Sequence, residues 1–95
     1  MSLNIVFSEE AEITANQIYD FIEEHFGKRS AIEFKAKTQH TLATISKFPY
    51  MFKAAAIGDN FRIGLITGQT SVLYQVKEDS IYLHYFWDNR QEPFL

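Results

Sequence analysis

Near Phe61 the hydrophobic period of the chain changes from 3.6 residues to two, so helices and strands are segregated along it. Upstream, Ala11, Ala15, Ile18, Ile22 and Phe26 recur at helical spacing and form one apolar stripe. Ser8 is placed to cap this helix, and Glu9, Glu10 and Glu12 put negative charge in its first turn, where the helix dipole favours it. Gly27 stops it. A second stripe runs through Ala31, Phe34, Thr38, Leu42 and Ile45 to Phe48, with Ser30 as its candidate cap and Pro49 as its end. So short a turn between two helices predicts an antiparallel hairpin.

Downstream of a loop over residues 50–60, Phe61, Ile63 and Leu65 alternate with Arg62, Gly64 and Ile66. Gly68 to Thr70 makes a turn, and Val72, Tyr74 and Val76 carry the alternation onward. After a second turn at Glu78 to Ser80, period two places Ile81, Leu83, Tyr85 and Trp87 on the core-facing side of a last strand, with Tyr82, His84 and Phe86 opposite. Leu3 to Phe7 adds a short N-terminal strand. The expected class is α+β: an N-terminal strand and an antiparallel helical hairpin packed on a mainly antiparallel sheet of about four strands. Residues 1–95 are expected to form one domain.

Composition narrows function more than fold. A hydrophobic content of 46% with 22% charged residues argues against disorder. The absence of cysteine rules out disulfides and thiolate zinc sites. No apolar run reaches the length of a membrane span, and the first ten residues lack a signal peptide's features, so a cytoplasmic protein without membrane contact is expected. A net charge of −3 weighs against broad, non-specific nucleic-acid binding. His25, His40 and His84 include no pair at metal-ligand spacing, and no nucleotide or phosphate-loop motif occurs. Neither metal nor cofactor is expected.

Three side chains stand out as chemistry. His84, on the face opposite the predicted core, is the candidate acid or base; its plainest role is a polar residue on the open side of a sheet. Arg62 and Arg90 are the two arginines of the sheet half, and arginine suits recognition at interfaces. Asp88 and Asn89 favour a turn that would hold Arg90 just past a strand end. There it could meet a partner's carboxylate or a phosphate, or else pair with Asp88 or Glu92, an exposed pair worth under about 1 kcal/mol. Trp87 is expected to anchor that strand by burial. Phe52, within the apolar loop Phe48 to Phe52, and Phe94, in the tail, are candidate contacts for a partner, which a second copy of the chain would also satisfy.

The ordered set Ile5 to Gly27, Phe48-Pro49, Gly68 to Val76 and Asp79 to Pro93 resembles the RelE/ParE superfamily, the toxin halves of type II toxin–antitoxin pairs, often labelled plasmid stabilisation proteins. In that family the last strand commonly runs into His-Gly-Arg-Arg-Asp-Pro. Here the matching residues are Asp88-Asn89-Arg90-Gln91-Glu92-Pro93, with an arginine kept and the histidine replaced. Two positions that are often arginine in the preceding strand are Ser71 and Gln75, and a third, in the last strand, is Tyr85. RelE-type members cleave messenger RNA on the ribosome and need cations for phosphate. The missing arginines argue against that activity, which would fall to Arg62, His84 and Arg90. The resemblance implies instead a ParE-like toxin that binds a protein target such as DNA gyrase and is neutralised by a cognate antitoxin. A non-toxic binding module on the same fold is the third option.

Overall fold

Ser8 decides where the first strand stops and the first helix begins. Its backbone is extended, its hydroxyl accepts the Ala11 N–H at 2.9 Å, and the same hydroxyl donates to the His84 carbonyl at 2.7 Å. One side chain thus caps a helix and ties it to a strand 76 residues away. In the computed structural model, which describes residues 2–90, the elements are β1 (Asn4–Phe7), α1 (Glu9–Phe26), α2 (Lys28–Lys47), β2 (Ala54–Ala55), β3 (Gly58–Leu65), β4 (Thr70–Val76) and β5 (Ser80–Asp88). The α+β expectation holds.

Gly27 separates the two helices at φ 95°, a left-handed value that glycine adopts without a Cβ penalty. Its N–H closes α1 on the Glu23 carbonyl, and its own carbonyl receives the Ala31 N–H. The second helix therefore starts at Lys28, directly after the glycine, and no side chain caps it. Ser30, the expected cap, lies inside the first turn.

The sheet has the order β1-β5-β4-β3-β2, with β1 parallel to β5 and every other pair antiparallel. The fifth strand, β2, occupies two residues of the segment expected to be loop, and β3 begins at Gly58, three residues before the alternation becomes visible. The hairpin lies on one face. Ile18 and Ile22 of α1 and Phe34, Leu42 and Ile45 of α2 meet Val72, Tyr74, Val76, Ile81, Leu83 and Phe86, all buried. β5 outlasts β1, and α1 completes its edge: the Thr14 hydroxyl accepts the Phe86 N–H at 2.9 Å while donating to the Glu10 carbonyl.

Two face assignments are corrected. In β3 the covered residues are Gly64 and Ile66, so Phe61, Ile63 and Leu65 lie on the open face. In β5 the ladder with β4 passes from Tyr74↔Leu83 to Leu73↔Tyr85, leaving His84 as an extra, bulged residue. Alternation reverses there. Phe86 and Asp88 turn towards the helices, and Tyr85 and Trp87 turn to the open face. Trp87 is accordingly half-buried beside Tyr85, with ring centroids 5.6 Å apart, and is not the core anchor that uninterrupted alternation would make it.

Candidate functional site

Arg90 is held, but not as an exposed pair. The bulge has carried Asp88 to the covered face, where it pairs with Thr70 across the ladder and its side chain has no exposed surface. The carboxylate accepts the Thr70 hydroxyl on Oδ2, the Arg90 N–H on Oδ1 at 2.8 Å, and a two-pronged grip from the guanidinium at 3.0 and 2.7 Å. The guanidinium carbon sits 5.3 Å from the centre of the Phe26 ring, at the end of α1. Burial alone would raise the Asp88 pKa, yet the Arg90 and Thr70 hydrogen bonds outweigh it and hold the carboxyl below the usual range. The carboxylate in turn raises the pKa of Arg90. A cleft of about 210 Å³ opens beside this pair, lined by Ile22, Phe26, Phe34, Lys37, Gln69 and Arg90.

Arg62 sits elsewhere. On β3 it shares the covered side with Tyr74, and its guanidinium donates to the carbonyls of Phe52 at 2.7 Å and Tyr50 at 3.4 Å and lies over the Tyr50 ring. Its Nε reaches the Asp59 carbonyl. The Tyr74 hydroxyl donates to the Pro49 carbonyl at 2.8 Å, and burial pushes its pKa up to about 12, so the phenol remains a donor. Arg62 and Tyr74 together fasten the loop after α2. That fastening leaves Phe52 partly buried against the core and exposes Phe48, Tyr50 and Met51.

His84 lies on the open face. Its Nε2 is 3.0 Å from Gln75 Oε1, and its ring packs on Phe61 and Tyr82, with centroids 5.5 and 4.8 Å away. Burial first, and then nearby Lys77, lowers its pKa, so the imidazole is neutral near pH 7. The structure thus separates the three candidates. His84 faces one side of the sheet, Arg62 the other, and Arg90 clasps a buried carboxylate past the end of β5. Phe94 lies outside the described residues.

Sequence reasoning missed Asp88 and Thr70 as the groups that position Arg90, because their burial depends on a bulge. It also missed a larger groove of about 640 Å³ between the hairpin and β1, lined chiefly by apolar side chains. The groove runs beside Ile5 and Phe7 on one bank and Thr38 and Leu42 on the other. Among the described residues, no three histidine or acidic side chains gather where they could hold a metal ion. No described helix is long and apolar enough to cross a membrane.

A parallel N-terminal strand, a helical hairpin over one sheet face and an antiparallel meander open on the other side define the RelE/ParE toxin architecture. Among solved structures the chain is similar to the chromosomal ParDE toxin–antitoxin system from P. aeruginosa, with a TM-score of 0.74 at 13% identity over 92% of this chain and 96% of that one. It is also similar to a copper-bound mutant toxin from Helicobacter pylori, with a TM-score of 0.65 at 15% identity over 93% and 96% of the two chains. The YoeB dimer from Staphylococcus aureus follows, with a TM-score of 0.60 at 15% identity over 90% and 94%. No family model and no curated protein matches the sequence. At these identities the likeness establishes the fold: the chain has the RelE/ParE toxin fold that its sequence resembles.

Proposed function

We propose that this chain is the toxin of a type II toxin–antitoxin pair, of the ParE-like kind, acting in the cytoplasm by binding a protein target and neutralised by a cognate antitoxin. The observation that carries the choice of mode is the separation of Arg62, His84 and Arg90. Cleavage of an RNA backbone needs a base, an acid and cations converging on one phosphate. Here two arginines are committed to carbonyls and to Asp88, and the histidine has no cation bonded to it. Binding a protein requires no such convergence. DNA gyrase is the target that the resemblance suggests. The exposed apolar side chains at Phe48, Tyr50 and Met51 add contact surface for a partner.

The reading is tested by expressing the chain alone in bacteria, then together with the product of the adjacent reading frame. Growth arrest that the second protein relieves is the expected outcome. The purified chain is then expected to inhibit supercoiling by gyrase and to leave ribosome-bound messenger RNA intact. Messenger RNA cleavage that Arg90→Ala or His84→Ala abolishes would establish the RelE-like alternative instead. A chain harmless on its own would make it a binding module.

A further inference from the structure

The outer edge of β1 is unfinished. In a parallel pair, alternate residues direct both N–H and C=O to the neighbouring strand. Asn4 donates to the Asp79 carbonyl and Ser8 to the Leu83 carbonyl, which fixes the even-numbered residues as the inward set. The odd-numbered residues point away from the sheet. Leu3, the first of them, is satisfied from the end of α2: its N–H donates to the Ser46 carbonyl at 3.0 Å and its carbonyl accepts the Ser46 hydroxyl. Ile5 and Phe7 have no such partner among the described residues, so their N–H and C=O groups form a short open ladder.

The side chains of the same two residues line the apolar groove of about 640 Å³, which continues under the hairpin to Tyr19, Thr38 and Leu42. Lys35 is the charged residue on its lining. A strand laid against β1 would have every second side chain on the covered face, and therefore in this groove.

We propose that the β1 edge and the groove beside it dock an extended, alternating apolar segment of the partner protein, which adds a sixth strand to the sheet through Ile5 and Phe7. The segment carries a carboxylate, or at least no cation, at the step facing Lys35. The proposal rests on the toxin–antitoxin reading and specifies how the neutralising partner is held. An open ladder of only two residues supplies too few hydrogen bonds to hold a strand by itself, so the side chains entering the groove must provide most of the affinity. That argues against a second copy as the occupant: its own Ile5 and Phe7 already line their own groove.

The probe is the product of the adjacent reading frame, purified in complex with the full chain, and the readout is amide hydrogen exchange. Strand addition is expected to slow the Ile5 and Phe7 amides at least tenfold over the free chain and to leave Val6, already bonded inward, little changed. Phe7→Pro removes the outward N–H and is tolerated at an edge, whereas Phe7→Ala removes only the side chain. The proline variant is expected to bind at least tenfold more weakly than the alanine variant. Should it fail to fold, the exchange measurement still decides. A complex in which both amides exchange as in the free chain overturns the docking mode, as does no complex at all. Concentration-dependent protection of the free chain would show self-pairing and overturn it too. Growth arrest is scored separately: a toxic, relieved chain with unprotected amides sinks only the docking mode. A harmless chain with protected amides sinks only the toxin reading.

Discussion

Truncating Arg90 to alanine removes the cation that grips a carboxylate with no exposed surface, while the arginine side chain itself is 28% exposed. A pair exposed on both sides would lose under about 1 kcal/mol. Breaking a fully buried pair costs about 3–5 kcal/mol, because a charge is left unpaired in low dielectric. This pair lies between. Two charge-assisted hydrogen bonds disappear, but the Thr70 hydroxyl and the residue-90 N–H still serve the carboxylate, and Arg90 is partly solvated before the change. The expected loss is about 2–3 kcal/mol, also counting the contact with Phe26. At roughly 4–8 °C per kcal/mol for a chain of this size, Tm falls by roughly 10–20 °C. Urea denaturation at pH 7 of the parent, Arg90→Ala, Asp88→Asn and the double variant measures both the loss and the coupling between the two residues, expected at about 1–2 kcal/mol. An Arg90→Ala protein within about 0.5 kcal/mol of the parent, or additive single changes, would refute the account. One consequence reaches the functional assay: lost toxicity in Arg90→Ala is interpretable only beside its measured stability.

The remaining predictions concern the same frame. Because the folded-state pKa of Asp88 is depressed, its contribution is complete above the unfolded value of about 3.9 and is lost as the pH falls below that through the folded value; acid titration followed by circular dichroism should show the parent, but not Asp88→Asn, losing this increment. Gly64→Ala should destabilise by about 1–2 kcal/mol, since a Cβ there would stand 3.1 Å from Ile45 Cδ1 and 3.3 Å from Tyr74 and Val72 side-chain carbons; a raised thermal midpoint would show that the core yields at no cost. Ser8→Ala should cost about 1–2 kcal/mol in urea titrations, through the lost cap of α1 and the orphaned His84 carbonyl.

Where hydrophobic period and a stop residue agreed, the sequence was readable. The stripes of α1 and α2, the cap at Ser8, the break at Gly27 and the covered set Val72, Tyr74 and Val76 all stand as the pattern implied. Phase in the outer strands was not readable. β5 reads Ile-Tyr-Leu-His-Tyr-Phe-Trp, apolar or aromatic on both sides, so its pattern cannot register one inserted residue. In β3 the residue closest to the core is Gly64, which carries no hydrophobic signal, while Phe61, Ile63 and Leu65 imitate a core face. The class of fold survives such errors because it depends on element order. The site does not, because it depends on which way each side chain points.

The bulge at His84 links these observations. With one residue fewer between Leu83 and Phe86, Asp88 would fall on the open face, unable to reach the Thr70 side chain on the helical side, and Arg90 would lose its buried counter-ion. The inserted residue also offers its carbonyl to Ser8, so the cap of α1 depends on it. A single irregularity in β5 therefore sets the start of the first helix, the open-face position of the imidazole and the engagement of the last described cation. The aspartate that replaces the family's usual histidine turns Arg90 from a free cation into half of a clasp, the opposite of what phosphate binding would require. Protein contact through apolar surface and an open strand edge is the mode of action this arrangement leaves in place.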